Sequence, residues 1–353
     1  MQRFTADLFI QKHQLLTTTG FAIPFIFNNY FYKNPLQMKP LPVLLFFLLL
    51  FKTAVLNAQQ EYKNLPYKRS ENGNALMLDL FLPEPTAAGK KFPVVLIIHG
   101  GAWVEGDRSL ETFYYTQQLK KQLNKTGIAV VSIDYTLLSK TIHLPVPIAD
   151  CKDAVRWVRA HAEQYGFDPE NIGLWGGSAG GHLALLTAYT DDTKWPGSPQ
   201  LASFSARTNY VIDFFGPTDL NALLKPDAGW FTVLLAKIFI PKLLPYREKL
   251  AYALTGYSID PDKQKVMQTA GLYTPLKYIT AATVPTFIFH GTKDRVVPLR
   301  QSRKLHRMLD ANKVSNGLII VKKGDHGFNN IPKEKTDALV EKTVTCITGQ
   351  ARE

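Results

Sequence analysis

Three short stretches each place a chemically capable side chain just after an apolar run. They are Gly176-Gly177-Ser178-Ala179-Gly180, Asp294 within FHGTKDRVVP (289–298), and His326 within KKGDHGF (323–328). A hydroxyl, an imidazole and a carboxylate are the parts needed for nucleophilic acyl transfer. The imidazole takes the hydroxyl proton, and the carboxylate holds the imidazole in the useful tautomer. Asp325 adjoins His326, and adjacent side chains point apart, so Asp294 is the orienting acid this reading selects. A fourth stretch, HGGAW (99–103), also follows an apolar run. Its glycines let backbone N–H groups approach a developing oxyanion, so Gly100, Gly101 and Ala179 are the candidate donors. Each feature also has a plainer reading: a tight glycine turn, a turn-capping aspartate, an exposed loop histidine.

The spacing around Ser178 excludes a phosphate loop. There is no Gly-Lys-Ser/Thr ending and no G-x-G-x-x-G order. What remains is G-x-S-x-G at a strand-to-helix turn, where small residues two before and two after the serine avoid the neighbouring chain. Two further histidines receive lesser roles: His182 as packing at the helix start, and His143, in a proline-rich loop, as a pocket-lining residue. No His/Asp/Glu spacing indicates a catalytic metal, and nothing calls for a cofactor. The two cysteines, Cys151 and Cys346, form no ligand pair and read as inert thiols, with a disulfide open to them if the chain is exported.

Several elements must hold these residues in place. ALMLDLFLP (75–83) alternates like a half-buried strand. Near-continuous apolar runs at 92–101, 127–135, 171–177, 210–216, 284–291 and 317–324 have strand length, as expected when both faces are covered. Helical patterns fall at 108–123, 149–165, 180–189, 299–310 and 335–348; in 149–165 Ala154, Trp157, Val158 and Ala162 share one face. This β-α-β-α order predicts an α/β fold with a mostly parallel doubly wound sheet and helices on both faces. Residues 217–283 show no strand pattern and predict a small helical cap insertion. Its apolar part, 228–244, reads as a lid over an acyl pocket, a buried cap helix or a membrane-touching face.

The start of the chain reads separately. From Met38, Lys39 precedes an apolar core at 41–51, with a small residue at Ala58, the layout of a signal peptide over 38–58. Residues 1–37 read as a non-native upstream extension, and 59–353 as a single domain that is secreted or periplasmic, with no stable membrane span after signal removal. Removing 1–58 takes away five Lys/Arg and one Asp, lowering the formal charge from +12 to +8. The basic residues are scattered, without the dense aromatic-interleaved run of a nucleic-acid footprint.

Together these residues resemble the α/β-hydrolase superfamily and, within it, hormone-sensitive-lipase-like carboxylesterases. The nearest resemblance is to the secreted bacterial feruloyl/acetyl-xylan esterase-like group. It rests on HGGAW, DYTLL (134–138), the stretch from Asp150 to Leu186, DFFGPTDL (213–220), TPLKYI (274–279), HGTKDRVVP and GDHGF, over roughly 62–348. The resemblance implies an α/β-hydrolase fold and a carboxylesterase with Ser178, Asp294 and His326 as its triad. It further implies a small-molecule or carbohydrate-linked ester as substrate, acetyl or feruloyl esters among them. An amidase, formamidase or peptidase on the same triad is the alternative, and a non-catalytic binding protein a further one. The chain departs from the family at Thr136, where relatives often carry arginine.

Overall fold

The structure, a computed structural model, describes residues 60–70, 73–84, 91–229, 232–233, 237, 240 and 242–351. The stretches 38–58 and 1–37, read from the sequence as a signal peptide and an upstream extension, lie outside the described residues, as does part of the apolar 228–244 stretch. Eight strands form one sheet: β1 Glu61–Arg69, β2 Ala75–Phe81, β3 Phe92–Ile98, β4 Ala129–Ile133, β5 Phe167–Gly177, β6 Tyr210–Phe214, β7 Thr286–Gly291 and β8 Asn316–Val321. Their spatial order is β1-β2-β4-β3-β5-β6-β7-β8. The β1–β2 and β2–β4 pairs are antiparallel and every pair from β4 to β8 is parallel.

Alternation along β3 shows why its run is continuously apolar. Val94, Leu96 and Ile98 join the core on one face of the sheet, and Val95 and Ile97 join the core on the other. The first core packs helices α2 (Val146–Ala160) and α3 (Ala179–Tyr189); the second packs α1 (Tyr114–Lys125) and, later in the chain, α7 (Lys333–Gln350). In α1 the buried Tyr115, Leu119 and Leu123 recur every four residues, one face of an α-helix. Between β6 and β7 the described part of the insertion holds a short helix, Leu220–Leu224, then α4 (Leu243–Thr255) and α5 (Ile259–Leu272), and no described strand. Helix α6 (Arg300–Ala311) joins β7 to β8.

Strand β1 is absent from the sequence reading. Its residues EYKNLPYKR are mostly exposed and carry a proline, so they lack the apolar signature of the central strands. The helix expected at 108–123 begins instead at Tyr114. The residues before it stay in a loop because Arg108 is bound there: its backbone N–H and guanidinium both donate to Asp134, and its Nε donates to Asp79 at 2.9 Å.

The sheet order reverses at β3. The chain runs from β3 outward to β4, then returns to the other side of β3 as β5. Loops leaving the carboxyl ends of β3 and β5 therefore diverge, and a crevice opens between them. HGGAW leaves β3, Ser178 leaves β5, Asp294 follows β7 and His326 follows β8. All four candidate stretches thus sit on one edge of the sheet.

Candidate active site

Ser178 occupies the turn between β5 and α3 with φ 56° and ψ −121°, a strained conformation for a residue with a Cβ. The turn is held at both ends: the Ser178 N–H donates to the Phe214 carbonyl at 2.8 Å, and its carbonyl accepts the His182 N–H at 3.1 Å. The flanking glycines are needed for space. A Cβ on Gly176 would lie 2.2 Å from the Gly180 oxygen, and one on Gly180 would lie 2.1 Å from the Ile98 oxygen. Strand, serine and helix can be this close only without those side chains.

The structure brings Ser178, His326 and Asp294 together. His326 Nε2 lies 2.8 Å from Ser178 Oγ, and its Nδ1 lies 2.8 Å from Asp294 Oδ2. With Nδ1–H donating to the carboxylate, Nε2 presents its lone pair to the serine hydroxyl. The Asp294 carboxylate is fully buried, which by itself favours the neutral acid. Hydrogen bonds from His290 and His326, the charge of His326 and the Val297 N–H outweigh burial and hold the group well below the usual carboxylate range. The Phe215 ring packs 4.7 Å from the His326 ring and limits its movement.

HGGAW borders the same space. A Cβ on Gly100 would sit 3.0 Å from the Gly177 oxygen and 3.4 Å from the Ser178 Cβ, so this backbone passes directly beside the serine. Gly101, with φ 102°, turns tightly enough to accept the N–H groups of Val104 and Glu105 at 3.0 Å each. Ala179 begins α3, where the first helical N–H groups lack intrahelical acceptors. His99 also borders the cavity, but its ring is engaged by the loop: it stacks on Tyr135 at 4.2 Å, and its Nδ1 lies 2.7 Å from the Gly100 carbonyl. Burial lowers its proton affinity.

His182 packs at the start of α3, but it also pins the glycine loop. The buried Trp103 indole N–H donates to His182 Nδ1 at 3.3 Å, which leaves the ring proton on Nε2, donated to the Tyr273 carbonyl at 2.7 Å. Burial pulls this imidazole down to about 4, so it stays neutral. His143 sits away from the site. Its Nδ1 meets the Ala253 carbonyl at 3.0 Å and its ring packs edge-on against Tyr252 of α4.

Ser178 and His326 open onto a cavity of about 500 Å3. Gly100 and Gly101 form one side, Phe113, Tyr115, Trp175 and Phe215 give it aromatic walls, and Glu105 and Asp107 line it as well. Among the described residues, none from 217–283 lines this cavity. The described residues hold no cluster of three or more metal-binding side chains, and no described helix is long and apolar enough to cross a membrane. Both cysteines are free thiols, Cys151 buried and Cys346 half-buried.

Two features escape the sequence reading. His290, buried on β7, also approaches Asp294, with its Nε2 3.2 Å from the same Oδ2 that His326 meets. Its sequence signal is the His-Gly step that begins four residues before Asp294. Asp213 on β6 is fully buried behind the serine turn. Its Oδ1 accepts the Gly216 N–H at 3.0 Å, its Oδ2 has no partner among the described residues, and burial pushes it up to about 7.

The mostly parallel sheet, the serine turn at its reversal point and the acid and histidine on later strand ends define an α/β-hydrolase fold. The chain belongs to the BD-FAE family, whose profile matches residues 78–309. Among curated proteins it is similar to a probable carboxylic ester hydrolase, LipM, of Mycobacterium tuberculosis. The identity is 30% over 234 residues, covering 66% of this chain and 48% of that protein. The chain spans about half the length of the curated relatives it matches. Among solved structures it resembles a bifunctional GH43-CE protein of Bacteroides eggerthii at 27% identity and TM-score 0.66, covering 82% of this chain and 38% of that one. It also resembles the butyrate-bound thermophilic esterase Est2 of Thermogutta terrifontis at 25% identity and TM-score 0.62, covering 84% and 96%.

Proposed function

We propose that this chain is a serine carboxylic-ester hydrolase in which Ser178 is the nucleophile, His326 the general base and acid, and Asp294 the residue that orients and stabilises the imidazole. The observation that carries the reading is the unbroken line Asp294–His326–Ser178, with both hydrogen bonds at 2.8 Å, ending at the wall of a cavity. His326 Nε2 takes the Ser178 proton as Oγ attacks the ester carbonyl. Backbone N–H groups of Gly100, Gly101 and Ala179 hold the oxyanion of the tetrahedral intermediate. His326 then protonates the departing alcohol. Water, deprotonated by the same nitrogen, attacks the acyl-serine and releases the acid.

For substrate, the reading extends to acetyl or aromatic acyl esters of carbohydrates. Its support is the aromatic wall of the cavity and the likeness to the bifunctional GH43-CE protein. The 500 Å3 cavity has room for much more than an acetyl group. Nitrophenyl acetate, butyrate and feruloyl esters, assayed beside the matched anilide, test this. The expected result is ester cleavage that Ser178→Ala abolishes, with the anilide cleaved far more slowly. Equal ester cleavage by Ser178→Ala would overturn the assignment, and faster anilide cleavage would make the protein an amidase.

A further inference from the structure

Asp294 Oδ2 accepts from His326 at 2.8 Å, but the same oxygen also lies 3.2 Å from His290 Nε2. His290 is fully buried and its proton positions follow from its partners. Nε2 is 2.8 Å from the Val297 carbonyl, which can only accept, so Nε2 carries a hydrogen. Nδ1 is 2.6 Å from Ser302 Oγ on α6, and a neutral ring accepts the hydroxyl proton there. The Nε2–H is thereby shared between the Val297 carbonyl and the triad-side oxygen of Asp294. Asp294 Oδ1 is separately fixed by the N–H groups of Val296 and Val297, each at 2.9 Å. A continuous line of contacts runs from α6 through Ser302, His290, Asp294 and His326 to Ser178.

We propose that His290 is a positioning residue for the reaction: its Nε2–H engages Asp294 Oδ2, fixes that oxygen under His326, and weakens the oxygen's hold on the His326 proton. The proposal rests on the reading of Ser178, His326 and Asp294 as a triad. Its physical basis is competition. A carboxylate oxygen that serves two N–H donors offers less negative charge to each, so His326 gives up its proton more readily than it would above a singly bonded carboxylate. Ser302 matters because it occupies Nδ1 as a donor and so keeps the ring hydrogen on Nε2, facing Asp294.

Other groups bear on the same ring. From β6, the buried Asp213 carboxyl interacts electrostatically with His290. The β7–α6 loop supplies Asp294 and the Val297 carbonyl, with Lys293 and Arg295 exposed beside Asp294, and α6 supplies Ser302. His326 faces Ser178, Asp294 and the Phe215 ring, with exposed Lys323 on its own loop. Asp213 is the group able to imitate an effect of His290 on a pH profile, so the experiment includes an Asp213→Asn background.

The experiment measures kcat/KM for one nitrophenyl ester across pH in parent, His290→Leu, His290→Gln and Ser302→Ala, each also in Asp213→Asn. Melting curves and phosphonate titration report folding and competent sites. In His290→Leu the acidic limb of kcat/KM is expected to move up by roughly half a pH unit, and kcat to fall about tenfold. His290→Gln, whose amide can donate where Nε2–H did, restores most of both. Ser302→Ala moves the limb in the same direction by less, and covers the case in which His290→Leu does not fold. An acidic limb unmoved or moved downward in the folded variants overturns the proposal, as does a Gln variant that matches Leu. Loss of melting temperature with unchanged pH profile also overturns it, since that is a packing role. The triad reading fails separately, through an active Ser178→Ala or an unlabelled parent.

Discussion

Two clusters of acids and bases in this protein use similar short bonds and do different things. One is the line from Ser302 to Ser178. The other straps α2 to β1 and to the loop after α3. There Lys68 Nζ bridges Asp150 at 2.7 Å and Asp153 at 2.8 Å. Asp150 also accepts the Thr136 N–H at 2.9 Å, and Asp153 accepts Arg156 at 2.9 Å and the Ser198 N–H at 2.8 Å. The buried Lys152 donates to the carbonyls of Thr190, Asp191 and Lys194, and Arg156 to those of Asp192, Pro196 and Phe204. In this strap every carboxylate oxygen of Asp150 and Asp153 is engaged by fixed donors. In the line, the last member is a hydroxyl at a cavity wall, bonded to an imidazole that is 21% exposed. Charge density and burial are common to both. A bordering cavity, and an imidazole nitrogen within hydrogen-bond distance of a serine hydroxyl, belong to one.

The sharpest way to separate the clusters is to remove one member of each. His326→Ala is expected to lower kcat by about 10⁴-fold or more while leaving the melting temperature close to the parent's, because the residue lies at the surface of a cavity. Progress curves with an activated ester and thermal melts read both quantities. Asp153→Ala should do the reverse. It leaves Lys68 and Arg156 without their shared carboxylate, a change that typically costs about 3–5 kcal/mol for a buried pair. Chemical denaturation measures that loss, and kcat per labelled active site should stay within a few-fold of the parent. A folded, stable Asp153→Ala protein that has lost turnover would erase the distinction drawn between the clusters.

A smaller effect concerns Asp213, which lies near both the serine turn and His290 but has an unpartnered oxygen. Burial pushes its carboxyl from the ordinary 3.8 up to about 7. Between those values the folded protein holds a proton that the unfolded chain has released, so this group's contribution to stability falls as pH rises through the window. Asp213→Asn removes that dependence. Its melting temperature should decline less than the parent's between pH 4 and 7, and exceed it above pH 7. Melts over that range check the sign.

The legible parts of the molecule are those whose signal is local. G-x-S-x-G, HGG, Asp294 and His326 stand beside their own strands, and the apolar runs of the central strands report burial on both faces. What escaped depends on distant partners. Helix α2 reads as amphipathic, with Ala154, Trp157 and Val158 on its apolar face. In the structure residues 150–158 are all buried, because Lys68 and the 190–206 loop cover the polar side. No periodicity within the helix can announce a cover supplied from elsewhere. The same holds for Asp150, which pairs with Lys68 arriving from the polar edge strand β1 and accepts the Thr136 N–H. His290 escaped because its meaning lies in the Asp294 oxygen it shares with His326, a contact spanning 32 residues on the His326 side. The apolar 228–244 stretch, read as a lid, a buried cap helix or a membrane-touching face, lies partly outside the described residues; the loop between β3 and α1 is among the described parts that line the cavity.

The central claim is that Ser178, and no other residue, is made nucleophilic by His326. Reaction of the folded protein with a fluorophosphonate, followed by mass spectrometry of its peptides, tests this most directly. The account predicts one adduct per chain, on Ser178, absent in Ser178→Ala and slowed by orders of magnitude in His326→Ala. A folded protein that stays unlabelled, carries the adduct on another residue, or reacts as fast without His326, would contradict it.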